Sequence, residues 1–319
     1  MVKVYILKVS VIIPTVNRHE SLFRLLNSIA KQSVIPDEII IIEQGGVKFE
    51  LDELPDALKN KVEVVYCDIK SLAHSRYVGY QKSKFETVVY FDDDIEVGRD
   101  YISSATNYLQ RNPQCNAVGG VYINKPYTEK NKYLTLIGRM FGIYSRGCSN
   151  KILASGWGDY VRDKYRNEIT HGEWLFGCNM VFRRSALREE YFPKEMILWS
   201  FLEDLYLVGK LTRKTATTAD ILPQLSVVHH FGISSGAPSR PITKMRIVYR
   251  YLVWKELFPR KTIYNRLRFI LGLAANLLLE LREGDIKDSI ALHYQSWKAI
   301  YYGQCDCITE ANKYVLAKD

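Results

Sequence analysis

The sequence has no C-x-x-C pair and no Cys/His cluster. The six cysteines among its 319 residues (67, 115, 148, 178, 305 and 307) therefore suggest neither a zinc site nor a disulfide framework. Cys305-Asp306-Cys307 is a lone C-x-C and reads as reduced thiols. No G-x-G-x-x-G and no Walker loop follows a hydrophobic run, which argues against dinucleotide and P-loop chemistry. No G-x-S-x-G frames Ser75, Ser155 or Ser185, so no serine nucleophile is indicated. Long apolar runs are missing too. The longest charge-free one in the C-terminal half, Phe269 to Leu279, has eleven residues, about 16 Å as a helix and half of a bilayer core. Lys8 and Pro14 interrupt the first apolar stretch, so no secretory hydrophobic region is expected there. Internal repeats are absent.

What remains is ordinary globular composition, 47% hydrophobic and 25% charged, enough chain for one large α/β domain or two smaller ones. The formal charge of +9 is not spread evenly. Between Arg240 and Arg268 lie nine basic residues and one acid, Glu256, so this segment carries +8 and the rest of the chain +1. Without any recognised nucleic-acid-binding motif beside the charge, nucleic acid is not an expected partner.

Continuous β-branched runs predict buried strands at Val9–Ile13, Glu38–Ile42, Val62–Tyr66 and Thr87–Phe91, with Pro14 ending the first. Apolar residues at 22, 25, 26, 29 and 30 predict a helix over Glu20–Gln32. A second helix is expected over Leu72–Lys82. Strands alternating with helices imply parallel pairing in a doubly wound sheet. Beyond Asp100 the expectations are a helix over Tyr101–Arg111, strands at Ala117–Ile123, Met180–Arg183 and Ser226–His229, and a helix over Glu203–Arg213. Residues 124–170 lack periodicity and read as a lid or binding loop. From Thr243 onward the chain reads as helical, broken at Pro259 and around Gly284.

The sharpest chemical feature is Asp92-Asp93-Asp94 at the carboxyl end of a buried strand, where ligands of open α/β sheets bind. Adjacent carboxylates stay ionised most easily beside a cation. Mg2+ or Mn2+ prefers such oxygen ligands and keeps sites open for phosphate oxygens. A solvated acidic turn is the plainer reading of the three acids taken alone.

The surroundings favour the first reading. Val9-Ser10-Val11-Ile12-Ile13-Pro14-Thr15-Val16-Asn17-Arg18, Pro36-Asp37-Glu38-Ile39-Ile40 through Glu43-Gln44-Gly45, and Ser71-Leu72-Ala73-His74-Ser75-Arg76-Tyr77-Val78-Gly79 precede the acids in order. Gly177-Cys178-Asn179-Met180-Val181-Phe182-Arg183-Arg184 and Phe201-Leu202-Glu203-Asp204-Leu205-Tyr206-Leu207 follow them. Together these segments resemble the family 2 glycosyltransferases over residues 9 to about 230. The family usually has Asp where this chain has Glu43, and Asn where it has Tyr77.

The resemblance implies a GT-A-type fold, a Rossmann-like and mostly parallel α/β sheet flanked by helices, here with a helical C-terminal annex. It implies a catalytic domain over 1–235, with a nucleotide-binding half of about 1–100 and an acceptor half of about 101–235, followed by a basic helical region over 236–319. It also implies a metal-dependent inverting transfer from a nucleotide-diphosphate sugar, of UDP or dTDP type, to a hydroxyl of a glycan or lipid-linked acceptor. Pro14, Thr15, Asn17, Arg18, Glu43, Arg76, Asp92 and Asp93 would line the nucleotide-sugar site. Asp92, Asp94 and His229 would hold Mn2+ or Mg2+, with His230 the alternative to His229. Asp204 would be the general base that deprotonates the acceptor, or else a helix-capping acid. Glu173, Trp174, Gly177 and Glu203 would form the acceptor or sugar pocket, although Trp174 and Phe176 equally suit a core. Gly119-Gly120 permits a close backbone approach.

Two rival readings are weaker. A sugar-nucleotide nucleotidyltransferase would place a Gly-rich loop straight after the first strand, where Pro14-Thr15-Val16-Asn17-Arg18 has no glycine. A non-catalytic sugar- or lipid-binding protein would not need Asp92, Asp94, Asp204 and His229 intact. The basic segment Thr243–Leu257, continuing to Arg268, reads either as an interfacial helix on an anionic membrane surface or as helices packed on the catalytic body or between subunits of a homo-oligomer. A cytoplasmic protein, peripheral on the inner membrane face, is the location expected.

Overall fold

The computed structural model describes residues 7–46, 48, 53–124, 132–230, 240–281 and 286–317. The first half runs β1 (Val9–Thr15), α1 (His19–Ala30), β2 (Glu38–Glu43), β3 (Val62–Tyr66), α2 (Leu72–Lys82), β4 (Thr87–Phe91), β5 (Ile95–Val97), α3 (Tyr101–Arg111) and β6 (Ala117–Gly119). There follow α4 (Lys132–Phe141), β7 (Lys151–Ile152), β8 (Gly158–Asp159), β9 (Thr170–Gly172), β10 (Asn179–Arg183), α5 (Glu203–Thr215), β11 (Ala219–Ile221) and β12 (Val227–His229). The last four helices are α6 (Arg240–Leu257), α7 (Ile263–Glu280), α8 (Ile286–Tyr301) and α9 (Ile308–Leu316). The boundary expected at 235 and the break expected around Gly284 lie outside the described residues.

Eight strands form the central sheet in the order β3-β2-β1-β4-β10-β6-β11-β9. The first four pair in parallel, as their uninterrupted apolar runs require. β1 and β4 are buried at every residue. Strand β10 is inserted antiparallel to both β4 and β6. That reversal decides where the site lies. It brings the start of β10, with Gly177 and Cys178 just before it, to the carboxyl end of β4, where Asp92 N–H donates to the Cys178 carbonyl at 3.1 Å.

β1 does not stop at Pro14. It continues to Thr15, with Pro14 opposite Ile42 of β2. Pairing with β4 has already ended at Ile12 opposite Tyr90, so the missing N–H of Pro14 breaks no ladder bond on that side. The strand expected over Ala117–Ile123 is shorter, ending at Gly119. Its end packs so closely that a Cβ on Gly120 would lie 1.9 Å from the Leu225 carbonyl oxygen. Gly120→Ala is therefore expected to destabilise the fold by about 1–3 kcal/mol, read as a lowered denaturation midpoint with an unchanged m-value.

A second, two-stranded sheet was not foreseen. β5 begins one residue after Asp94 and pairs antiparallel with β12, with His229 opposite Ile95. The residues 124–170 expected to be a loop contain, in their described part, α4 and the β7–β8 hairpin.

Of the two readings of the basic segment, the structure takes the packed one. Thr243–Leu257 lies within α6 and is largely buried against the catalytic body. Met245, Val248, Tyr249, Leu252 and Val253 share one hydrophobic core with the sheet and with residues of α8 and α9. Two of its cations are turned inward as well. Lys244 is 2% exposed and donates to the Ala317 carbonyl at 3.0 Å, and Arg250 is 1% exposed and lies 4.0 Å from the Trp157 ring centroid. The aliphatic stems and the guanidinium plane allow cations to be packed in this way.

Candidate active site

Parallel pairing places the carboxyl ends of β1, β2 and β4 on one side of the sheet, and two adjoining clefts open there. The first, about 470 Å3, is lined by Pro14, Thr15, Arg18, Gln44, Ser71 and Asp92 to Asp94, together with Trp199 and His229. The second, about 300 Å3, is lined by Asp204, Glu203, Gly177 and Arg76 and by aromatic rings including Trp157, Tyr160 and Trp174. Asp92, Leu72, Trp199 and His229 border both.

Of the three consecutive aspartates, Asp92 is held by Arg76, while Asp93 and Asp94 share Arg18. Asp92 accepts from Arg76 Nη2 at 2.7 Å. Asp93 accepts from the Thr15 hydroxyl and from Arg18 Nη1, both at 2.7 Å. Asp94 accepts from Arg18 Nη2 at 2.9 Å. Burial pushes the Asp93 carboxyl up to about 7, against the downward pull of Arg18 and the Thr15 hydroxyl. Arg18 is itself raised: burial opposes its charge, but Asp93 and Asp94 outweigh that.

The β5–β12 ladder delivers His229. Because His229 sits opposite Ile95, its Nε2 comes within 3.5 Å of Asp94 Oδ1. One ligand atom each from Asp92, Asp94 and His229 lies within 4.8 Å of the others. Two carboxylate oxygens and an imidazole nitrogen form a donor set that suits Mn2+ or Mg2+. His230 points elsewhere, with Nε2 2.6 Å from Glu96 Oε1.

Arg76 ties the two clefts together. It is 1% exposed, pairs with Asp92 and with Glu203, and donates to the Gly177 carbonyl at 2.7 Å. Next to Glu203, Asp204 opens α5. Its Oδ2 accepts the Gly177 N–H at 3.1 Å and its Oδ1 the Leu205 N–H at 2.8 Å. Burial raises the pKa of the Asp204 carboxyl, while Arg76 and these two amides act in the opposite direction. A carboxylate held by two amides and partly exposed to a cleft is well placed to receive a proton.

Other expected site residues are placed differently. Glu43 is 1% exposed, and its Oε1 accepts the N–H groups of Gly45 at 2.6 Å and Asn17 at 3.2 Å. Asn17 adopts the left-handed conformation (φ 52°) directly above it. At this edge Gln44 lines the cleft, and it accepts the Ser71 N–H at 2.7 Å. Glu173 lies outside both clefts, accepting the Ile152 N–H at 3.0 Å beside Lys151. Trp174 does border the second cleft but is 2% exposed; it packs edge-on to Tyr160 and donates to the Asp159 carbonyl at 3.2 Å.

Trp199 was missed altogether. It is 58% exposed between two left-handed residues, Leu198 and Ser200, and borders both clefts. Its tryptophan in an otherwise mixed stretch was the available signal, but its backbone conformation carries no sequence mark. Gln44, Trp157 and Arg250 also escaped sequence reasoning.

A Rossmann-like, mostly parallel sheet with an acid-rimmed cleft at its parallel strand ends is an architecture of GT-A type. The family model described as glycosyl transferase family 2 matches residues 10–190, and the chain belongs to that family. It is 25% identical over 193 residues to the glucosyl-dolichyl phosphate glucuronosyltransferase of Haloferax volcanii, covering 57% of this chain and 55% of that protein. It is 27% identical over 212 residues to the O-antigen chain rhamnosyltransferase RfbN of Salmonella typhimurium, covering 64% and 61%. The matches thus span under two thirds of these relatives' length. In fold it is similar to a mannosyltransferase from Pyrobaculum calidifontis solved with GDP-Man and Mn2+, with a TM-score of 0.51 at 15% identity over 99% of this chain and 89% of that one. It is also similar to GalNAc-T7 solved with UDP, GalNAc and Mn2+, with a TM-score of 0.56 at 15% identity over 91% of this chain and 54% of that one.

Proposed function

We propose that the protein is a metal-dependent, inverting glycosyltransferase that moves a sugar from a nucleotide-diphosphate donor to a hydroxyl of a glycan or lipid-linked acceptor. The observation that carries the proposal is the convergence of Asp92, Asp94 and His229 within 4.8 Å, joined to Asp204 through Arg76. The nucleotide cleft is lined by Thr15, Arg18, Gln44 and Ser71 from the donor half, residues 1–100, and by Trp199 and His229 from beyond it.

Asp92, Asp94 and His229 would hold Mn2+ or Mg2+, which as a Lewis acid neutralises charge on a departing diphosphate. The remaining chemistry belongs to the chain's own groups. Asp204 takes the proton of the acceptor hydroxyl from the cleft opposite the diphosphate, so attack is in line and the anomeric centre inverts. Arg76 orients Asp92 toward the donor. Trp199 and the aromatic rings of the second cleft provide flat apolar faces for sugar rings, and the amides of Gly177 and Leu205 keep Asp204 aimed. The two relatives, a glucosyl-dolichyl phosphate glucuronosyltransferase and an O-antigen chain rhamnosyltransferase, support such an acceptor here.

Asp94→Ala tests the metal assignment. Mn2+-dependent UDP binding, measured by calorimetry against dTDP and GDP, should weaken about tenfold or more, ~1.4 kcal/mol. Unchanged affinity would remove Asp94 from that role.

A further inference from the structure

With α6 packed into the core, the surface question passes to its successor. α7 buries Phe269, Gly272, Leu273 and Asn276 at helical spacing, which is the ordinary inward stripe of an amphipathic helix. Its outward stripe is apolar as well. Ile263, Leu267, Ile270 and Leu278 are 80%, 56%, 56% and 57% exposed. α4 lies against α7, tied by Arg268, which donates to the carbonyls of Met140 at 2.7 Å and Arg139 at 3.0 Å. α4 adds Ile137 and Met140 to the exposed apolar surface, at 48% and 64%. Two adjacent helices leaving such residues in water mark an interaction surface.

Charge selects the partner. Arg260, Lys261 and Arg266 are exposed at the start of α7, and no acidic residue occurs from Leu257 to Leu279. A second copy of this chain offers no acidic strip on the same face to meet those cations. A layer of anionic lipid headgroups does, with acyl chains just beneath to take up the apolar stripe. Among the described residues no helix is long and apolar enough to cross a membrane, so α7 would lie along the surface.

We infer that the outer face of α4 and α7 docks the protein on an anionic bilayer surface. Behind this face stands the second cleft. The Gly272 carbonyl of α7 accepts Trp157 Nε1–H at 3.3 Å, and Trp157 lines the cleft that holds Asp204. Docking therefore sets the cleft about one helix diameter, roughly 10 Å, from the headgroups. That use of the cleft rests on the acceptor reading above; the docking surface itself does not.

The test is co-sedimentation of the full chain with vesicles of phosphatidylglycerol and phosphatidylcholine, compared with phosphatidylcholine alone. Binding to the anionic vesicles, weakening with salt, is expected. Arg260→Glu with Lys261→Glu should reduce it about thirtyfold or more, and Leu267→Glu with Ile270→Glu should abolish it. Both variants should keep Mn2+-dependent UDP affinity, which separates failure of the docking surface from failure of the donor-site reading. The inference is overturned by no sedimentation at low salt, by equal binding to neutral vesicles, or by variants that sediment like the parent. A concentration-dependent dimer in light scattering that Leu267→Glu with Ile270→Glu dissolves would equally overturn it, reassigning the face to a second copy.

Discussion

Asp204→Asn should lower turnover by about a hundred- to ten-thousandfold, the usual contribution of a positioned general base. The amide keeps one oxygen to accept from Gly177 or Leu205, so the local frame survives. Donor affinity in the presence of Mn2+ should stay within about twofold, because the loss falls on the transition state and not on ground-state binding. The pH profile supplies an independent check. Burial raises the Asp204 carboxyl above the ordinary aspartate value of 3.8, with Arg76 and two amides only partly countering it. A base works deprotonated, so kcat/KM should fall as pH drops through this raised pKa. The acid limb therefore belongs above the usual aspartate range. Retained turnover in the Asn variant, or an acid limb at or below 3.8, would take the role from Asp204.

Arg76→Met should have the largest effect on stability. Arg76 is among the largest fully buried side chains, and it faces Glu203, which is itself 4% exposed. Removing one partner of a buried pair leaves the other charge in low dielectric, at about 3–5 kcal/mol. That is a large share of the roughly 5–15 kcal/mol that holds an ordinary domain folded. Arg76→Met with Glu203→Gln removes the orphaned charge and should recover part of the loss in urea denaturation. Recovery should not extend to catalysis, because Asp92 still lacks its 2.7 Å partner. Full stability in the single variant would show the pair to be dispensable.

The parts of the fold that were legible in the sequence share a cause. β2 and β4 are unbroken β-branched or aromatic runs, and only a strand buried on both faces asks for that pattern. Asp92 to Asp94 followed from sitting directly after such a run. Between His229 and His230 the β5–β12 register makes the difference: one residue's shift would present the other imidazole.

What was illegible depended on distant partners. Whether Pro14 ends a strand depends on how far β4 runs alongside it. The direction of β10 is not written in Met180–Arg183. The sequence of α6 left the interfacial and the packed readings open, and what decides between them are the distant Ala317 and Gly156 carbonyls that accept from Lys244 and Arg250. Glu173 looked suited to the pocket until the β7 amide took it up.

The segment before Asp204 has one further consequence. Leu198, Ser200 and Leu202, three of five consecutive residues, hold left-handed backbone conformations, each at a cost of about 1–2 kcal/mol. The strain is held in place by the start of α2: Leu72 N–H donates to the Leu198 carbonyl at 3.0 Å, and the Ser200 hydroxyl accepts the Ala73 N–H at 3.2 Å. One end of this sprung loop thus leans on Ser71 and Leu72 in the nucleotide cleft, and the other end leads into Glu203 and Asp204. The wall between the two clefts is therefore one braced unit, in which residues bordering the first cleft support the strained loop that ends at Asp204.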